Sequence, residues 1–123
     1  MTNQEMFDDL GEMGTLMLLF LEMASTDGEI STEEAETLYE SASNFTDQDV
    51  HQFVLNAMRV GKTLSFSDRV SYLNAGLAYF SEKFSAEMKK NILIELAKIA
   101  NADGSIHDDE SSLFKMAASH LNA

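Results

Sequence analysis

Apolar residues recur along this chain at spacings of three and four, the signature of helices that each bury one face. No stretch alternates as a strand would. Val50, Phe53, Val54, Ala57 and Met58 follow the i, i+3, i+4, i+7, i+8 stripe, which predicts a helix opened by Thr46 and closed by Gly61. A following helix starts near Ser65 or Ser67 and is expected to bury Phe66, Val70, Leu73, Leu77 and Phe80. Ser85 caps the next, and the last runs from about His107 to Leu121 with Leu113, Phe114, Ala117, Ala118 and Leu121 on one side. Toward the start of the chain, residues 3–26 read as one long helix or two joined ones, with Gly11 and Gly14 as weak points. Ser31 opens another, and Glu34 three residues on completes a capping box.

Within 15–21 and again within 92–100 nearly every position is apolar, as expected of a helix surrounded by others. These are the expected central helices, with four amphipathic ones around them. The fold class is therefore all-α: a compact bundle of about six helices in a single domain, residues 1–123.

Sliding the sequence by 76 residues aligns Ala24, Asp27, Gly28, Ile30 and Glu34 with Ala100, Asp103, Gly104, Ile106 and Glu110. Both copies read A-x-x-D-G-x-I-x-x-x-E. Upstream, Leu16/Ile92, Met17/Leu93, Leu18/Ile94, Phe20/Leu96 and Met23/Ile99 agree in being apolar, as do Leu38/Phe114 and Ala42/Ala118 downstream. The expected unit is a buried helix, a tight Asp-Gly turn, an isoleucine returning to the core and an outer helix. It occurs twice, over about 15–43 and 91–121, in a pseudo-twofold arrangement. Glycine suits such a turn because a left-handed backbone costs a residue with a Cβ about 1 kcal/mol.

Part of the motif matches a calcium-binding helix–loop–helix, with Asp, Gly, Ile and Glu at loop positions 5, 6, 8 and 12. The first loop position, where a ligating Asp belongs, is Met23 or Ile99, so the match fails. The duplicated motif behind a hydrophobic helix resembles instead the TerB family of tellurite-resistance and stress-response proteins, over about Leu16 to Leu121. It is also similar to the TerB-like region of certain J-domain co-chaperones, although no J-domain motif is present. The resemblance implies an all-helical pseudo-symmetric domain with acidic residues suspected of binding metal, often beside membrane-associated partners. It assigns the metal positions to Asp27, Glu34, Asp103 and Glu110. A bound divalent cation, Ca²⁺ or another, would need backbone carbonyls or water besides two carboxylates per turn. The same four residues also suit hydrogen bonds to turn amides, a capping box and the positive end of a helix dipole, with no ligand at all.

Charge sharpens this picture. Net charge is −13, and residues 1–58 hold 13 of the 21 acidic residues with no Lys or Arg, while the remainder is balanced. Such a surface repels phosphates, so nucleic acid is not an expected ligand and cations or basic partners are. Simple solubility is the plainer use of the same charge. With 123 residues there is material for one core, and the missing cysteines remove disulfides and thiolate chemistry and fit the cytoplasm. The acidic start has no basic region of a targeting signal, and Leu16 to Leu21 is too short to span a bilayer. His107, among Asp103, Asp108, Asp109 and Glu110, suits either an exposed loop or a mixed imidazole–carboxylate site, whereas His51 and His120 lack such company. The methionines, including Met13, Met17, Met23, Met58, Met88 and Met116, fall at core spacings and read as core rather than as a soft-metal site.

No nucleophile motif or phosphate-binding loop is present, and the chain reads as a non-enzyme. The leading expectation is a stress or tellurite-resistance module that binds a divalent cation or a protein partner through the acidic half and the two turns. It would not insert into a membrane, but it can associate with membrane-bound partners. A helical adaptor or homo-oligomer with purely structural turns is the alternative, and a metal-dependent hydrolase is the third.

Overall fold

A computed structural model describes residues 2–24, 32–46, 49–101 and 108–122; the side chains of residues 32–34 and 108–111 also lie outside the description. The helices are α1 (Asn3–Ala24), α2 (Thr32–Ser43), α3 (Val50–Gly61), α4 (Phe66–Lys83), α5 (Ala86–Ala100) and α6 (Asp108–Leu121). No strand occurs among the described residues. None of the helices is long and apolar enough to cross a membrane.

α1 is the spine. From Gly14 to Ala24 every residue is buried, and the helix packs against α2, α3, α4, α5 and α6. A helix covered on all sides has no face for water, which is why Leu16 to Leu21 is apolar without periodicity. Each such Leu, Met or Phe contributes roughly 1.5–3 kcal/mol on burial. α5 is less enclosed than its composition suggests. It packs mainly against α1, α2 and α6, burying Ile92, Leu93, Leu96 and Ile99, while Ile94 remains 43% exposed.

Caps explain most of the helix boundaries. Ser65 accepts from the Asp68 amide at 3.1 Å and Ser85 from that of Met88 at 3.1 Å, opening α4 and α5. α3 ends at Gly61 as its sequence predicts but begins at Val50, with Asp49 rather than Thr46 as the cap. The Asp49 carboxylate accepts from the His51 amide at 3.0 Å, and a carboxylate caps better than a threonine hydroxyl at the positive end of a helix. Phe66 is a second departure. Expected in the core, it is 57% exposed, because at the first residue of α4 it overhangs the bundle, and its ring lies 5.8 Å from the Arg69 guanidinium carbon.

Where α4 crosses α1, Thr15 Oγ1 and Tyr72 Oη share a buried hydrogen bond of 2.5 Å. Burial pushes the Tyr72 pKa up, so the hydroxyl stays neutral beside its partner. Beside it, a Cβ on Gly76 would lie 2.9 Å from Thr15 Cγ2. Glycine here lets two helices approach closely. Gly76→Ala should therefore cost about 1–3 kcal/mol by overpacking a branched side chain that cannot turn away. Thermal unfolding would show this as a fall of roughly 4 °C per kcal/mol in the midpoint.

Asp49 gives a pH-dependent test. The amide and ring of His51 hold its carboxyl below the ordinary value of 3.8. A lowered pKa in the folded state means the cap stabilises above the ordinary carboxylate range and is lost as pH falls through the folded value. Asp49→Ala should lower the unfolding midpoint at neutral pH, and the gap to the parent should close below 3.8. An unchanging gap across that range would show that the cap is not ionic.

Candidate functional site

The helices that flank the duplicated motif keep its offset. α1 ends at Ala24 and α5 at Ala100, and α2 begins at Thr32 and α6 at Asp108, each pair 76 residues apart. Glu34 and Glu110 are accordingly the third residues of α2 and α6. Their side chains, together with Asp27, Asp103, His107 and the Ser31 cap, lie outside the described residues. Among the described residues no group of three or more His, Asp or Glu side chains is arranged to hold a metal ion.

Described carboxylates near the turns fall into two kinds. The first is buried and held. Glu22, in the last turn of α1, is 7% exposed and accepts from Arg69 Nε at 2.9 Å; Arg69 also donates to the Leu64 carbonyl at 2.9 Å. Glu95, inside α5, is equally buried and accepts from Ser41 Oγ at 2.6 Å, Asn44 Nδ2 at 3.2 Å and Lys98 Nζ at 3.2 Å. It also lines a cavity of about 350 Å³ with Asn44, Phe45, Met88 and Asn91. Burying an ion is tolerable only when its charge and lone pairs are met, and both sites meet that demand. These carboxylates are already taken by donors, so their chemistry is structural. Each interrupts an otherwise apolar run on an inner helix, a signal visible in the sequence. Their partners, 47 and 54 residues away, are not.

The second kind is exposed and unmatched. Glu36 and Glu40 stand one turn apart on the outer face of α2, and neither forms an ion pair with a described Lys or Arg. α2 has no basic residue in its last turn, and neither has α1. Between Glu36 and Glu40, the Tyr39 ring packs against that of His51 with centroids 4.6 Å apart and planes tilted by 32°. His51 is not without acidic company, since its Nδ1 lies 3.1 Å from Asp49 Oδ1, whereas His120 meets the amide of Asn74 at 2.8 Å.

The two repeat units differ in their polar contacts. With the 76-residue offset, Glu22 falls opposite Lys98 and Glu95 opposite Leu19. The last turn of α1 therefore holds an acid whose cation, Arg69, comes from α4, and that of α5 holds its own Lys98, which pairs with Glu95.

Residues 14–123 match the family model described as Tellurite resistance protein TerB. No curated protein and no solved structure matches the chain.

The buried pair at the end of α1 makes a sharp prediction. Arg69→Met strands the Glu22 carboxylate and should cost about 3–5 kcal/mol, while Glu22→Leu/Arg69→Met should recover most of the loss. Denaturant titration of the three proteins measures this. Equal losses in the single and double variants would mean that Arg69 acts through the Leu64 carbonyl and its packing, not through Glu22.

Proposed function

The chain belongs to the TerB family of tellurite resistance proteins, and on that footing we propose that it is a non-enzymatic module that takes up a divalent cation at its acidic Asp-Gly turns. The observation that carries this reading is the uncompensated charge of α2. Glu36 and Glu40 are exposed with no described basic partner, in a half of the chain that has no Lys or Arg up to residue 58. Like charges four residues apart on a helix repel, and a bound cation relieves that repulsion.

The first turn is the stronger of the two sites. It leads into α2, which has no Lys or Arg, whereas α6, the corresponding helix after the second turn, carries Lys115. The donors would be Asp27 and Glu34, completed by backbone carbonyls and water as a hard cation requires. Glu22 contributes no ligand, because Arg69 holds it. Asp103 and Glu110 form the weaker second site.

A basic protein partner is the second reading, favoured by the same α2 face, where Tyr39 offers a half-buried ring between the two glutamates. The cysteine-free composition suits a cytoplasmic module, free or beside membrane-bound partners.

Thermal unfolding of chelator-treated protein with Ca²⁺, Mg²⁺, Mn²⁺ or Zn²⁺ at matched ionic strength tests the proposal. A cation at about 100 times its dissociation constant should add about 2.7 kcal/mol, or roughly 10 °C. Asp27→Asn should remove most of that shift and Asp103→Asn a smaller part. The same shift in the double variant would overturn the site and leave only general screening.

A further inference from the structure

α1 is two helices in sequence. Gly11 has φ +73° and ψ −179°, a conformation essentially reserved for glycine, and it separates residues 3–10 from the buried spine. The short helix before it is self-contained. Thr2 Oγ1 accepts from the Glu5 amide at 3.1 Å to cap it, and Gln4 donates to Asp8 at 2.9 Å within it. The TerB match begins beyond it, at residue 14.

This segment lies in a groove made by the end of α3 and the flank of α4. Met6 and Leu10 are buried there, and the ring of Phe7 meets that of Tyr79 at 4.8 Å. One exposed ion pair holds it, Asp9 Oδ2 to Arg59 Nη2 at 3.0 Å. Open clefts of about 540 and 210 Å³ run along the two sides of the segment, and Asn3 lines both. A short element joined to the bundle through a one-residue hinge and wetted along both sides is among the first parts of a fold to open.

Glycine at the hinge can also take the helical conformation. A Cβ placed on Gly11 as it stands would meet nothing within 4 Å, so an alanine there is opposed by the backbone angles and not by a neighbour. Were Gly11 to become helical, residues 3–24 would form one continuous rod of about 33 Å, carrying Met6, Phe7 and Leu10 out of the groove. Rod and groove would then both expose apolar surface.

We infer that the groove between α3 and α4 is an interaction surface for a second copy of this chain, whose residues 3–10 exchange with its own through straightening of α1 at Gly11. The occupant follows from what already fits. A second copy presents the same Met6, Phe7 and Leu10 to the groove and the same Asp9 to Arg59, and the exchange is reciprocal and closed. Every contact of the segment is recovered between chains, and only the hinge changes.

Sedimentation over a concentration series tests this on the full chain. Gly11→Ala favours the helical hinge and disfavours the positive φ, so its dimer should dissociate at a concentration lower by about tenfold or more than that of the parent. Asp9→Arg and Arg59→Asp, both at exposed positions, supply the specific control in the parent and Gly11→Ala backgrounds. Each variant alone pairs like charges in the closed monomer and in the exchanged dimer alike, so its own dimerisation should stay close to that of its background. Mixed in equal amounts, they restore both opposite-charge pairs only across chains and should form a heterodimer. A cooperatively folding Gly11→Ala protein that stays monomeric overturns the inference. So does a mixture that forms no more heterodimer than random pairing gives, since such a dimer would use another surface. Should Gly11→Ala fail to fold, the mixture in the parent background decides alone, and no heterodimer at high concentration overturns it.

Discussion

The enclosure of one helix governs this molecule. α1 touches every other helix, and between Gly14 and Ala24 it leaves no residue exposed, so each position there must be apolar or have its polarity met inside the protein. Two exceptions show how that is done. Thr15 shares its hydroxyl with Tyr72, and the charge of Glu22 is met by Arg69. Both partners come from α4, which can approach closely because Gly76 has no side chain to hold it off. The glycine, the tyrosine and the arginine on α4 thus answer requirements set by α1.

The same constraint separates the charges. Acids that enter the core are each supplied with donors, as Glu95 is by Ser41, Asn44 and Lys98. The remaining described acids of the first half are exposed, where a run of 58 residues without Lys or Arg leaves α2 with little to balance it. Such a surface adds little to the fold and stores repulsion that a cation or a basic partner relieves. α6, which follows the second copy of the motif as α2 follows the first, carries Lys115. Two segments that keep one pattern of helix boundaries therefore differ in charge.

Much of the fold is legible in the sequence because helical periodicity, serine caps and the two apolar runs are local signals. α4 and α5 begin at their serines, and α6 buries Leu113, Ala117 and Leu121 with Phe114 and Ala118 half-buried beside them. The departures have non-local causes. Phe66 lies on the correct face of α4 but beyond its neighbours, α3 takes the stronger of two available caps, and Ile94 faces outward because α5 has an open flank. Gly11 reads as a weak point, but periodicity alone cannot show a positive φ. As for the site, sequence singles out Asp27, Glu34, Asp103 and Glu110 through the repeat. It passes over Glu22 and Glu95, whose partners depend on how distant helices meet.

Where a cation sits on this acidic surface is measured most directly by the broadening of backbone amide NMR signals on adding Mn²⁺ in amounts well below the protein concentration. The expected result is that signals at the end of α1 and the start of α2, on either side of residues 25–31, fade first, followed by those between α5 and α6. Loss of intensity spread evenly over every exposed acid, including residues 5–12, would contradict a site at the turns and reduce the charge of this half to solubility alone.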